Sequence, residues 1–138
     1  MPKLVRLALV APTLAIMAVA SATVALADNG VNVSVDPTAT LTAKVEVVVT
    51  VTASCPSGAF PMDNSVTIEE AVGRSIARGT GYMAGIQCSG ASQVIPVTIL
   101  ADPTGPPFKK GTAIATATLS AFGSTSGAAT STVAVKIR

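Results

Sequence analysis

The chain has 138 residues, of which 49% are hydrophobic, 12% charged and 3% aromatic, and its formal net charge is +2. This composition argues against a disordered chain, which would be poor in hydrophobic residues and rich in charge, and the length leaves no room for a two-domain enzyme. The chain contains no histidine, so the side chain that most often serves as a general base or metal ligand is missing.

Residues 1–27 have the three parts of a secretory signal peptide. Lys3 and Arg6 give a basic start, and residues 7–24 are uncharged and mostly apolar. Ala25-Leu26-Ala27 then supplies a small–x–small cleavage site. The sequence therefore predicts a secreted, extracellular or cell-envelope protein.

Two alternatives for this leader remain open. Ala20-Ser21-Ala22 is a second candidate site, so cleavage is expected after Ala27 or Ala22. An uncleaved anchor is also possible, because residues 7–27 are long enough to span a bilayer. In either case residues 28–138 are expected to form one domain, and membrane contact is expected only through an uncleaved leader.

The charges after the leader are balanced and scattered along the sequence. Residues 28–138 contain seven basic and seven acidic side chains. Nucleic-acid binding needs clustered Lys and Arg, usually with aromatic stacking platforms. The sequence therefore predicts no nucleic-acid partner.

Apolar residues after residue 28 recur with period two, and β-branched Val and Thr are abundant, as is typical of strands. Seven runs are predicted to turn alternate residues into a core: Val31, Val33 and Val35; Val45, Val47, Val49, Val51, Ala53 and Cys55; Val66 and Ile68; Tyr82, Ala84, Ile86 and Cys88; Ile95, Val97 and Ile99; Ala113, Ala115, Ala117 and Leu119; Val133, Val135 and Ile137. Turn-forming residues separate the runs, which predicts an all-β, immunoglobulin-like antiparallel sandwich of seven to eight strands. Pro96 should place its strand at a sheet edge or at a bulge.

The two cysteines, Cys55 and Cys88, each lie on the apolar face of a predicted strand. An exported chain meets an oxidising compartment, where thiols pair. The sequence therefore predicts one structural disulfide, Cys55–Cys88.

Glu70 falls on the same side of its strand as the apolar residues, and two interpretations are open. Either the strand ends there and the carboxylate reaches solvent, or a partly buried carboxylate pairs with Arg74 or Arg78. Gly79-Thr80-Gly81 has the letters of a nucleotide-binding turn but lacks its strand–helix context, so a bend or bulge is favoured.

The most distinctive local segment is Pro106, Pro107, Phe108, Lys109 and Lys110. It is a candidate exposed contact loop. The favoured interpretation is structural, with Phe108 packed under the end of the sandwich as a plug. We predict no catalytic residue, no metal ligand and no cofactor, and we expect that the protein is not an enzyme.

The combination of an Ala-rich leader, Cys55, residues 73–79, Cys88 and Pro107-Phe108-Lys109-Lys110-Gly111-Thr112-Ala113 resembles small exported immunoglobulin-like proteins of actinobacteria. The composition is also similar to that of neocarzinostatin-type chromoprotein carriers, which hold an apolar chromophore. Those carriers typically have two disulfides, whereas this chain can form one.

These observations favour an exported, non-enzymatic immunoglobulin-like domain that contacts an unknown protein or glycan through its surface. One alternative is a small-molecule carrier with a cleft lined by Tyr82, Phe108 or Phe122. Another is an exported protease inhibitor that presents residues 102–110. The sequence predicts neither the ligand nor the oligomeric state.

Overall fold

A computed structural model describes Leu26–Ala27 and residues 29–138 of the chain. The predicted signal peptide therefore lies outside the described residues, apart from the backbone of Leu26 and Ala27.

The described residues form nine β-strands and no helix. The strands are β1 (Leu26–Ala27), β2 (Asn32–Ala43), β3 (Glu46–Ser54), β4 (Ala59–Asp63), β5 (Ser65–Val72), β6 (Ser75–Tyr82), β7 (Gln93–Ala101), β8 (Gly111–Gly123) and β9 (Gly127–Ile137). The all-β prediction is confirmed.

The predicted alternation of faces is also confirmed for most strands. In β3, Val47, Val49 and Val51 are fully buried, while the residues between them are only half-buried. β5, β7 and β8 follow the same pattern, because a pleated strand turns successive side chains to opposite faces. Val45 is an exception: it is exposed because it lies in the turn between β2 and β3.

The run predicted as Tyr82, Ala84, Ile86 and Cys88 is wrong as a strand. β6 ends at Tyr82, whose side chain is 66% exposed, and Met83 is fully buried instead. The backbone N–H of Met83 donates a 2.8 Å hydrogen bond to the carbonyl of Asn64, and the chain then leaves the sheet until β7. Ile86 and Cys88 therefore reach the core from a loop.

The strands close into a seven-strand ring in the order β9, β2, β3, β7, β6, β5, β8 and back to β9. The expected sandwich would have two separate sheets, but here both sides are joined. On one side, β5 and β6 form a hairpin of eight residue pairs. On the other, β2 has an irregularity between Val35 and Ala39, beyond which it also pairs in parallel with the end of β9.

Two junctions of the ring, β2–β9 and β6–β7, have only two residue pairs each. At the β6–β7 junction the pairs are Gly79–Ala101 and Thr80–Leu100. A Cβ added to Gly81 would lie 2.5 Å from the carbonyl oxygen of Thr98. Glycine is therefore required by close backbone approach rather than by the predicted bend or bulge. The prediction that Pro96 lies in an edge strand or at a bulge is wrong, because β7 has β3 on one side and β6 on the other and its register with β3 is unbroken. Proline is accommodated because β7 pairs with β3 alone at that position.

The disulfide prediction is confirmed: the sulfur atoms of Cys55 and Cys88 are 2.06 Å apart. We call this end of the barrel the disulfide end. It also holds the start of β2 and the β8–β9 loop, where Asn29 donates a hydrogen bond to the carbonyl of Ser126. The other end holds the β2–β3 turn, the β5–β6 turn, the β7–β8 loop and Arg138. The described segment 29–138 thus begins and ends at opposite ends of the barrel.

Candidate functional site

The β7–β8 loop, residues 102–110, is held in place at its first turn. Asp102 Oδ1 accepts hydrogen bonds from the backbone N–H of Thr104 (2.9 Å) and from its hydroxyl (2.7 Å). The carbonyl of Asp102 accepts another from the N–H of Gly105 at 3.0 Å. The two bonds from Thr104, the backbone one first, lower the pKa of the Asp102 carboxyl below its usual value.

The same loop is held at its far end by two buried groups. Phe108 is 2% exposed and belongs to the core, as the plug interpretation predicts. Glu70 of β5 is 3% exposed, and its Oε2 accepts a 2.8 Å hydrogen bond from the backbone N–H of Lys109. The loop is therefore fixed at both ends, by the turn at Asp102 and by Phe108 and Glu70, which leaves it little freedom to rearrange.

This position of Glu70 corrects both sequence interpretations. The carboxylate does not extend to solvent, and its hydrogen-bond partner is the backbone of Lys109 rather than an arginine. Arg78 instead pairs with Glu69, at 3.4 Å between nitrogen and oxygen. Neighbouring residues on a strand face opposite sides, so Glu69 points outward and Glu70 inward.

The candidate contact residues divide into two groups. Pro107, Lys109 and Lys110 are exposed, Pro106 is half-buried and Phe108 is buried. Phe108 thus supports the loop, and its exposed neighbours form the loop surface.

Three shallow grooves of about 550, 500 and 330 Å³ surround this loop, and Asp102 borders all three. Glu69 and Arg78 line the largest groove, whereas Val45 and Pro107 line the second, which is mostly apolar. The groove residues come from strands far apart in the sequence, so only the closed barrel brings them together.

Cations also converge at this end of the barrel, which corrects the impression of scattered charge. The turns, the loop and the residue after β9 carry Lys44, Arg74, Lys109, Lys110 and Arg138, against Asp102 in the loop. The adjoining strands add the carboxylates Glu46, Glu69 and Glu70. Arg78 and Lys136, in strands close by, complete the seven basic residues after residue 28. We call this surface the basic end. The sequence did contain a sign of this surface, because most of these cations lie in the β2–β3, β5–β6 and β7–β8 connections, which meet at one end of the barrel.

The residues expected to line a carrier cleft are not brought together. Tyr82 and Phe122 are exposed and Phe108 is buried, and none of the three lines a groove described above. Within residues 29–138, no group of three or more Cys, Asp or Glu side chains is arranged to hold a metal ion.

No helix in the described part of the chain is long and apolar enough to cross a membrane. No protein-family model, curated protein or solved structure matches this chain.

Proposed function

We propose that this protein is an exported, non-enzymatic binding domain whose basic end contacts an anionic partner. The observation that carries the proposal is the convergence of cations from three connections, and from Arg138 after β9, on one end of the barrel. Export is supported by the leader pattern and by the Cys55–Cys88 bond, which suits an oxidising compartment.

The charge pattern favours contact with an extended anionic surface. The connecting residues at this end have a net charge of four positive, and with the charged residues of the adjoining strands the net charge is three positive. Each Lys or Arg close to an anionic surface contributes on the order of 1 kcal/mol, and salt screens the attraction. The exposed aromatic side chains Phe60, Tyr82 and Phe122 lie on strand segments away from these connections, so stacked nucleic-acid bases are not the favoured partner.

The loop geometry supports binding as well. A loop that is ordered before contact loses less conformational entropy on association than a flexible one. The anchors Asp102, Phe108 and Glu70 supply this order, and they leave the side chains of Lys109 and Lys110 free to reach a partner.

We further propose that the barrel is an immunoglobulin-like domain. If β4 and β5 are counted as one bulged strand, the neighbours β2–β3–β7–β6 and β5–β8–β9 correspond to the two sheets of a seven-strand constant-type domain. The two sheets are then joined on one side by the β5–β6 hairpin and on the other by the pairing of β2 with β9. The disulfide departs from that family, because Cys88 lies in a loop.

Binding to vesicles tests the function. The mature chain should bind phosphatidylglycerol vesicles but not phosphatidylcholine vesicles, soluble polyphosphate should compete, and salt should weaken the binding. The variant K109Q/K110Q should lose at least about tenfold in affinity.

The matched control moves the same charge change to the disulfide end. Ser57 and Thr125 are exposed there, and S57E/T125E also lowers the net charge by two. Its affinity should stay within about twofold of the parent. Equal losses in both variants would show that net charge alone, and not the basic end, determines the affinity. If the parent chain binds neither phosphatidylglycerol vesicles nor polyphosphate, an anionic partner is refuted.

Export is tested separately by sequencing the N-terminus of protein recovered from the medium or envelope of its host. A mature chain that begins at Asp28 or Thr23 agrees with the proposal. A chain that still begins at Met1 and stays in the cytosol contradicts it.

A further inference from the structure

A second surface carries exposed aromatic side chains near the disulfide end. Phe60 of β4 and Phe122 of β8 are direct partners across the two strands, and they are 70% and 65% exposed. Residues paired in this way have Cβ atoms about 5 Å apart on the same face. Met62, in the bulge of β4, is 73% exposed. We call Phe60, Met62 and Phe122 the aromatic platform.

This use of aromatic residues is unusual for a chain that has so few. The sequence contains three Phe, one Tyr and no Trp, and only Phe108 contributes to the core. The buried core otherwise consists of Val, Ile and Ala residues with Leu119, Met83 and Cys55. Packing therefore does not explain why two phenylalanines lie side by side in solvent, and an exposed apolar patch of this kind often has a function.

Hydroxyl groups surround the aromatic platform. Ser120 and Thr118 are the two outward-facing residues that precede Phe122 on β8, and Thr118 is paired with Thr130 of β9. Ser57 and Ser124 lie in the adjoining loops, where the Ser124 hydroxyl donates to the carbonyl of Ser57 at 3.4 Å. Each hydroxyl can donate and accept hydrogen bonds, so the surroundings are polar without being cationic.

The hydroxyl groups continue in register along the outer face. Thr80, Thr67, Thr116 and Thr132 are successive partners across β6, β5, β8 and β9. The hydroxyl oxygens of Thr116 and Thr132 lie 3.1 Å apart. Asp63 is the charged side chain within the strand beside the platform, and the cations lie at the basic end.

We propose that the aromatic platform binds an uncharged polysaccharide. The C–H face of a pyranose ring is apolar and packs on an aromatic ring, while its hydroxyl groups need neutral donors and acceptors at the edges. Phe60 and Phe122 offer the rings, and Ser120, Ser57 and Ser124 offer the hydroxyls. The inference does not depend on the proposed role of the basic end.

The exposed area argues against a second copy of this chain as the occupant. Two phenylalanines and a methionine at these exposures present on the order of 400 Å². A stable protein–protein interface buries about 800 Å² on each partner. The scarcity of charge around the platform argues equally against an acidic or basic ligand.

The test is depletion of the mature chain from solution by insoluble chitin, cellulose, β-1,3-glucan or amylose resin. About 1 M NaCl removes contributions from the basic end, because the Debye length is then about 3 Å. The chain should bind at least one of the four polymers, and F60A/F122A should lower its association constant at least about tenfold, a loss of about 1.4 kcal/mol. Both substitutions are at exposed positions, so the melting temperature should confirm that the variant is folded.

The control is Y82A, which removes an aromatic side chain of similar exposure from a different strand. Its binding should stay within about twofold of the parent. Binding to none of the four polymers, or equal loss in Y82A and F60A/F122A, would overturn the proposal. A concentration-dependent dimer that F60A/F122A abolishes would assign the platform to self-association instead. Vesicle binding by the basic end is independent of every one of these outcomes.

Discussion

Gly81→Ala should destabilise the barrel, because β6 and β7 approach too closely for a side chain. The new Cβ would lie 2.5 Å from the oxygen of Thr98 and 2.8 Å from Cγ1 of Val97, whereas ordinary contacts begin at 3.4 Å. The strands must therefore separate by about 0.9 Å at a junction that has only two residue pairs.

The size of the effect follows from two opposing contributions. Overpacking costs about 1–3 kcal/mol, and the lower entropy of the unfolded alanine chain offsets about 0.4–1 kcal/mol of that. Gly81 does not have a positive φ, so no backbone strain is added. The middle of each range gives a net loss of about 1.3 kcal/mol, which corresponds to a fall in melting temperature of roughly 6 °C for a domain of about 110 residues.

Thermal unfolding followed by circular dichroism measures this loss. The matched control is Gly105→Ala, whose Cβ would lie 3.4 Å from the carbonyl of Ile76, an ordinary contact. It should change the free energy of unfolding by no more than about 0.5 kcal/mol. If Gly81→Ala melts at or above the parent temperature, the close approach of β6 and β7 does not limit the residue type there.

Four further outcomes follow from the fold. Replacing both cysteines by alanine should lower the free energy of unfolding by roughly 3–4 kcal/mol in urea titrations, since the bond closes a long loop. Phe108→Ala should cost about 3–5 kcal/mol in the same assay, because a fully buried ring is removed. The hydroxyl of Thr38, and then its backbone N–H, lowers the pKa of Asp36. A carboxyl whose pKa is lower in the folded state stabilises the fold above its unfolded pKa, and this stabilisation is lost as the pH falls through its folded pKa. Thr38→Val should therefore raise the Asp36 midpoint in NMR titrations and reduce the loss of folding stability in acid. Deleting residues 131–138 removes most of the strand between β8 and β2, and circular dichroism should show an unfolded chain.

The buried and exposed faces of most strands could be predicted because alternate side chains of a strand face opposite sides, so apolar residues recur at every second position of the sequence. Val47, Val49 and Val51 alternate with polar or half-buried neighbours, and the structure buries them as the pattern indicates. The disulfide followed from Cys55 on a buried face and from the expected compartment. The alternation failed after Tyr82, where the continuing period of Tyr82, Ala84 and Ile86 concealed the end of β6.

The surface arrangement could not be predicted from local patterns, because it depends on which strands become neighbours. Phe60 and Phe122 are partners only because β4 pairs with the last residues of β8, beyond the part of β8 that pairs with β5. Glu70 meets the backbone of Lys109 only because the loop before β8 folds back over β5. Such contacts between distant segments are set by the topology of the ring, and a local sequence pattern carries no information about them.

The opposite placement of Asn29 and Arg138 governs how the domain can be immobilised or fused. In a chain cleaved after Ala27, a tether attached ahead of Asn29 leaves the cations pointing away from its support, whereas a tag after Arg138 adds bulk beside Lys136 and the β2–β3 turn. Attachment through the N-terminal side therefore presents the basic end to the surroundings. The reverse orientation would offer the phenylalanine pair instead, so the choice of linkage determines which of the two surfaces an assay can detect.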